Sequence, residues 1–441
     1  MITNLRLILS ILSLVFASLL SPVALASWSP DVTRFNGPGG MKVYHVESHA
    51  NPLVMVKLLV RGGAGYDPKD KAGVANLVAW MFNEGGGDLD SEAFQEKLNY
   101  YGISLSGSAG RDAMTISMST LSTHLDVAWA MMMDALLRPR FAKADFDRAI
   151  AEQIATLKQA KEKPGALASN ALYREIYGNH PYGQPAKGSL KSIPTITLDD
   201  LKKYHDEVFR LPTMVLAVAG DINLEKLKEL TTKSFVKLNH FPSSFRPIPF
   251  AITKKRNHSQ HIELDVPQTA IRVGGVGINR HDPDYYALVV MNQILGGGGF
   301  SSRLTKEIRE KRGLTYGVYS YFSPLAAQGP FVVGMQTKTA SVDESKKLIF
   351  DELERMATQD VGSEELADVK RYLTGSFPLN LDGLGKLAGT WGVIGFYDRG
   401  LDYLEKWPER IRGVTKKDIR RVARRILNIK RLHIVTVGRK L

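Results

Sequence analysis

The chain has 441 residues, 44% of them hydrophobic and 23% charged, a formal net charge of +13 and no cysteine. That length exceeds one ordinary core and implies two domains or more. The missing cysteine excludes thiolate catalysis, cysteine-ligated zinc and disulfide staples, so the fold must be held by its cores.

The chain opens with MITNLRLILSILSLVFASLLSPVALAS: one Arg, the apolar run Leu7 to Leu20, and the small-residue signature Ala24-Leu25-Ala26 before Ser27. This reads as a signal peptide over 1–26, because the apolar run is shorter than the roughly 20 residues that a spanning helix needs. Export without disulfides suits a bacterial periplasm, a compartment in which nucleic acid is not an expected partner.

The next motif is His45-Val46-Glu47-Ser48-His49, whose ligand-type residues lie two apart and share a face of a strand. It runs into Ala50-Asn51-Pro52, so it reads as an exposed hairpin tip and not as a metal site. After the strand LVMVKLLV comes an Asp-Pro loop and then GVANLVAWMFNEGG, Gly73 to Gly86, predicted as a buried helix over 72–84 that ends in a glycine turn. The stretch GISLSGSAGRDAMTISMST, Gly102 to Thr120, alternates around Arg111-Asp112 as a hairpin does. Its first strand, Ile103 to Ala109, carries little side-chain bulk. It is either an ordinary internal strand or an edge strand that takes an extended peptide through its main chain, with Ile103, Leu105, Gly107 and Ala109 as the substrate-binding positions.

Further on, TLDDLKKYHDEVFRLPTMVLAVAG (197–220) lies over TKKDIRRVARRILNIKRLHIVTVG (415–438) without a gap, each reading as a capped helix, a turn and a strand ending in Gly. LVMVKLLVRGGAGYDPKDKAGVANLVAWMFNEGG likewise parallels TAIRVGGVGINRHDPDYYALVVMNQILGGGG. The fold class is therefore α+β, a two-domain architecture made by one duplication, each half a mixed sheet packed with helices. The halves are 27–237 and 259–441, joined by a Pro-, Ser- and Lys-rich linker over 238–258. His258 and His261 flank the linker's end and form no ligand set, and His180 in HPYG is a positional loop residue. Lys416, Lys417, Arg420, Arg421, Arg424 and Arg425 recur at helical spacing on one face, either a solvated face or one that docks on an anionic membrane or an acidic partner.

The chemistry-bearing stretch is GGGGFSSRLTKEIREKRGLTYGVYSYF, Gly296 to Phe322, a glycine turn, a charged helix and a Tyr- and Val-rich strand. Arg309 in the last helical turn and Tyr316 at the strand's start both offer donors to a carbonyl oxygen that gains negative charge. This stretch resembles the C-terminal half of the pitrilysin, insulinase and mitochondrial-processing-peptidase family of zinc peptidases, and the resemblance extends through GVANL, the GISLSGSAGRD hairpin, HPYGQPAKG and the duplication. It implies a clam-like pair of lobes, with Arg309 and Tyr316 at the positions that help hold the substrate.

In active members of that family the helix equivalent to 72–84 carries the inverted zinc motif H-x-x-E-H, with a Glu on a later helix as third ligand. Here Asn76, Ala79 and Trp80 stand at the three motif positions, and Glu152 is the nearest candidate for the later Glu. Asn is a poor zinc ligand, Trp offers only an N–H donor and Ala cannot take a proton, so no metal site is expected in this chain. The resemblance then implies the zinc-less subunit of a two-chain peptidase, a heterodimer in which a homologous partner holds the zinc and this chain contributes Arg309 and Tyr316 toward cleavage of extended peptides. The alternative is a catalytically inactive peptide-binding or scaffold protein of the cell envelope.

Overall fold

The computed structural model describes residues 31–238, 244, 246–252 and 258–440. The predicted signal peptide lies outside the described residues, as does part of the predicted linker, whose described residues form neither helix nor strand. No described helix is long and apolar enough to cross a membrane.

Eleven strands form two sheets: β1 (Thr33–Asn36), β2 (Lys42–Glu47), β3 (Leu53–Arg61), β4 (Ser104–Ala109), β5 (Ala113–Leu121), β6 (Met214–Gly220), β7 (Ser259–Glu263), β8 (Gln268–Val276), β9 (Val318–Phe322), β10 (Pro330–Lys338) and β11 (His433–Gly438). The first sheet runs β1-β2-β6-β3-β5-β4 and the second β7-β11-β8-β10-β9. Omitting β1, the two orders are the same, and in each half the last strand pairs parallel to the first and antiparallel to the second. The duplication read from the sequence is thus a duplication of topology.

Seven helices position the candidate site and its supports: α1 (Val74–Met81), α2 (Lys143–Lys161), α3 (Pro164–Tyr177), α4 (Leu198–Val208), α5 (Tyr285–Asn292), α6 (Leu384–Phe396) and α7 (Lys416–Ile426). The repeated helices α4 and α7 start alike: Thr197 with Asp200, and Thr415 with Asp418, close reciprocal caps that satisfy otherwise orphaned backbone donors. Much of the basic face of α7 is neutralised from within. Arg421 and Arg425 both reach Asp284, Arg425 also pairs with Asp282, and Arg420 pairs with Asp360.

One face of each sheet is covered by helices of its own half, giving a core drawn from residues 41–238 and another drawn from 271–432. The opposite faces are covered by exchange. Helix α3 of the first half packs Ala168, Ala171, Leu172 and Ile176 against Ala270, Val332, Val435 and Val437 of the second sheet. Reciprocally, α6 of the second half packs Ala388, Trp391 and Ile394 against Tyr44, Val215, Ala217 and Ala219 of the first. The approach of α6 is close enough that a Cβ on Gly395 would stand 2.4 Å from the Tyr44 ring, so glycine is required there.

A single buried carboxylate ties the exchanged helices together. Asp112, 2% exposed at the tip of the β4–β5 hairpin, accepts hydrogen bonds from the hydroxyl of Tyr182, which follows α3, and from the hydroxyl of Tyr397, which caps α6, at 2.8 Å. It also accepts from the Ala326 N–H at 2.7 Å. Burial holds both phenols well above the usual tyrosine range, so they stay protonated donors. Beside Asp112, Arg111 donates to the carbonyls of Tyr182 (2.6 Å) and Gln184 (3.2 Å) and stacks on Tyr173 of α3 at 4.3 Å.

Trp391 tests the exchange. It is 1% exposed, stacks on Tyr44 at 5.8 Å, and leaves its indole N–H without a partner among the described residues. Trp391→Ala is expected to cost about 3–5 kcal/mol in urea unfolding, whereas Trp391→Phe, which keeps an aromatic ring and deletes the unpaired donor, is expected to cost clearly less. Equal costs would show that the ring does not hold α6 on the first sheet.

Candidate functional site

Helix α1 is the position that the sequence singles out, and its start is built with care. Gly73 precedes it at φ 104°, a left-handed conformation, and a Cβ there would meet the Ile193 side chain at 2.6 Å. Asp67 accepts from the backbone N–H of Gly73 (2.6 Å) and of Ala75 (3.0 Å) and so caps the helix from a loop. Burial pushes the Asp67 carboxyl up to about 7, against those two donors. The helix then buries Val74, Ala75, Leu77, Val78, Ala79 and Met81.

Ala79 faces β4: a Cβ on Gly107 would lie 2.3 Å from the Ala79 carbonyl oxygen. Asn76 and Trp80, one turn apart and half-buried, meet α2. The Asn76 side-chain amide donates to Gln153 Oε1 at 3.1 Å, and Gln153 donates onward to the Lys187 carbonyl at 2.9 Å. Arg148, on the same helix, lies over the Trp80 ring at 5.5 Å and pairs with Glu84 and Asp145.

This corrects one expectation. Glu152 is exposed and does not face Asn76; Gln153 does, because one step along a helix turns a side chain by about 100°. The surface where the family's metal would sit therefore holds two carboxamides, an indole and a guanidinium. The Asn76 amide donates to Gln153 as a neutral donor to a neutral acceptor, and neither carboxamide supplies the imidazole or carboxylate ligand that zinc takes.

The other histidine motifs are structural. His45 is buried and bonds the Ile222 carbonyl through Nε2 at 2.8 Å, and His49 sits at the exposed hairpin tip with Asp221 and Glu47. His180 accepts from the Tyr182 N–H at 3.1 Å through Nδ1, which orders its loop. No group of three or more ligand-type side chains is assembled among the described residues.

Strand β4 ends the first sheet, so of the two readings left open it is the edge strand. Ile103 and Leu105 point into the core while Ser104, Ser106 and Ser108 are exposed. Gly110 N–H bonds the Ala113 carbonyl at 2.8 Å, which fixes the alternation of the antiparallel ladder. The main-chain groups of Leu105, Gly107 and Ala109 consequently point to the open side, whereas the Ile103 N–H is taken by Leu98.

The pair expected to hold substrate, Arg309 and Tyr316, lies in the second half. The Arg309 guanidinium stacks on Phe300 at 4.4 Å, and Phe300 is itself 68% exposed. Tyr316 is 90% exposed and lines a cavity of about 400 Å³ with Arg272 and Tyr319. Arg272 escaped the sequence reading, although an Arg inside the otherwise apolar strand TAIRVGGV was the available signal. Gln153 and Asp112 gave weaker signals, because a polar residue's partners across the fold leave no local pattern.

Taken together, the doubled sheet, the capped helix on the edge strand and the emptied ligand positions define a peptidase architecture whose metal helix has lost its metal-binding side chains. The chain belongs to the M16 peptidase family. It matches the model for insulinase (peptidase family M16) over residues 42–189 and that for the peptidase M16 inactive domain over residues 195–373. A crystal structure of a peptidase M16 inactive domain from Pseudomonas fluorescens is 32% identical, with a TM-score of 0.88 and coverage of 93% of this chain and 99% of that one. A non-peptidase homolog, YmxG, from Helicobacter pylori is 29% identical over 384 residues, 86% of this chain and 87% of its own. A protease from Helicobacter pylori, 20% identical with a TM-score of 0.85 over 93% of this chain and 100% of its own, shares the fold.

Two measurements check the site. Asn76→His, Ala79→Glu and Trp80→His together should not yield tight zinc binding unless Gln153→Glu is added, while adding Glu152→Gln should make no difference; metal analysis after dialysis decides. Because the Asp67 pKa is raised on folding, its stabilising contribution is full below about pH 4 and is lost as pH rises toward 7. The unfolding free energy of the parent should therefore fall relative to that of Asp67→Asn across this window, and a constant difference would contradict the burial assigned to Asp67.

Proposed function

We propose that this chain is the zinc-less subunit of a two-chain exported peptidase, presenting Arg309 and Tyr316 to an extended peptide whose scissile bond is cut at the zinc of a homologous partner. The observation that carries the reading is the contrast between the two halves. The metal positions on α1 have been filled with Asn76, Ala79 and Trp80, and Asn76 is satisfied within the fold. Tyr316, in contrast, stands 90% exposed on a cavity wall with no hydrogen-bond partner among the described residues. A phenol kept for packing alone would be buried; one kept for a ligand must be reachable.

The open main chain of Leu105, Gly107 and Ala109 supports capture of the same extended peptide by strand addition, which does not depend on the guest's sequence. The predicted leader over 1–26 supports a periplasmic setting for this chain, and the zinc is the partner's. If no zinc-bearing relative associates, the open edge of β4 favours the second reading, a peptide-binding protein of the envelope that does not cleave.

Mixing the purified chain with a zinc-bearing M16 relative from the same cell should give chelator-sensitive hydrolysis of an unfolded peptide that exceeds the sum of the separate activities. Arg309→Ala and Tyr316→Phe should each lower kcat/KM of the mixture by roughly ten- to a hundredfold. Full activity of the mixture with both variants would overturn the proposal.

A further inference from the structure

Arg272 lies in the middle of β8, opposite Gly334 of β10 and Val435 of β11, and is 8% exposed. Its hydrogen-bond partners are all neutral: the Ser169 hydroxyl at 3.2 Å, the Ile271 carbonyl at 3.0 Å and the Met335 carbonyl at 3.2 Å. The other buried arginine among the described residues, Arg303, is compensated by a two-point pairing with Glu365. Arg272 has no carboxylate partner among the described residues, and a buried charge without a counter-ion is costly unless a ligand supplies one.

The space in front of it is built, and one sign of charge dominates it. The cavity of about 400 Å³ is lined by Arg272, Tyr316, Tyr319, Gln268 and Gln336 and has no acidic wall residue. The Tyr319 ring lies 5.8 Å from the guanidinium and packs flat because Gly334 has no Cβ: one there would be 2.6 Å from the phenol oxygen. Across α3, a second cavity of about 480 Å³ is lined by Arg111, Lys163 and Lys187, again with no acidic residue. Ser169 of α3 belongs to that second wall and bonds Arg272 of the first.

We propose that the Arg272 cavity is a carboxylate subsite, which takes either the C-terminal carboxylate of a bound peptide or an internal Asp or Glu side chain beside Tyr316. Nε and one terminal nitrogen of Arg272 are engaged within the fold, its second terminal nitrogen has no hydrogen-bond partner among the described residues and can donate to a carboxylate, and Tyr316, Gln268 and Gln336 add neutral donors around it. The proposal deepens the peptide-holding reading by naming the chemistry held, and rests on it for the identity of the ligand.

Gly165, in the first turn of α3, gives a test that needs no peptide. A Cβ there would lie 3.0 Å from a terminal nitrogen of Arg272 and 3.3 Å from the Gln336 amide, both ends of flexible side chains. Gly165→Asp therefore places a tethered carboxylate in the subsite. Its thermal midpoint should exceed that of Gly165→Asn, and the difference should shrink markedly in an Arg272→Gln background, the double-mutant cycle separating the pairing from the effect of an acid at a helix start. Equal midpoints, or a difference that survives Arg272→Gln, would refute the subsite.

The peptide arm uses fluorescence anisotropy with a labelled peptide of alternating Val and Ser in three forms: free C-terminal carboxylate, C-terminal amide, and the amide carrying one internal Glu. At least one carboxylate form should bind about tenfold more tightly than the plain amide, and the form that does identifies the source. Gly165→Asp and Arg272→Gln should each remove that preference. Binding of all three forms without preference would overturn the carboxylate subsite but not the peptide-holding reading. If none of the three binds, the peptide-holding reading fails, and the subsite stands or falls on the Gly165 cycle.

Discussion

The carboxylate of Asp112 is the constraint on which the molecule depends. Each half leaves one face of its sheet bare, and each lends a helix to cover the other's bare face. Such an exchange has to be fixed in register, or the helices could slide on largely smooth apolar surfaces. Asp112 fixes it by accepting from Tyr182, Tyr397 and the Ala326 N–H, one residue after each lent helix and one on a loop of the second half. Charge-assisted bonds to a buried carboxylate are short and directional, which apolar burial is not. Arg111, its neighbour, locks the chain after α3 through two backbone carbonyls and the Tyr173 ring.

The same logic explains why α1 persists without its chemistry. The helix is a wall of the first core as well as a former ligand carrier: it buries six side chains, and its backbone touches β4 at Gly107, where any side chain would collide with Ala79. Deleting the helix would expose the core and the sheet edge together. Replacing its ligand positions costs far less, because Asn76 donates to Gln153, which donates onward to the Lys187 carbonyl, and Trp80 shares its exposed face with the Arg148 cation. The site has been refilled to satisfy polar atoms and volume, which is what a structural helix needs and a catalytic one must forgo.

Charge placement follows a related division. The basic stripe of α7 spends much of its excess on Asp282, Asp284 and Asp360, so what looks in the sequence like a surface for an anionic partner is largely a clasp between elements of the second half. Among the cations without an acidic partner, Arg272 and the group at Arg111, Lys163 and Lys187 are less conspicuous in the sequence and line concave walls. Electrostatic capacity for a ligand resides there, where low-dielectric walls focus the field.

The sequence by itself determined the duplication, the hairpin around Arg111-Asp112, the paired caps at Thr197 and Thr415, and, on the family resemblance, that Asn76, Ala79 and Trp80 cannot serve at the metal-motif positions. These are local matters of periodicity, capping and side-chain chemistry, and they are written in neighbouring residues. Only the tertiary structure decided that Gln153 and not Glu152 faces Asn76, that β4 is an edge, that α3 and α6 change places, and that Arg272 is buried without a counter-ion. Each of these depends on which surfaces meet across many residues of chain, and a buried charge or amide carries no periodic mark of the partner that will satisfy it.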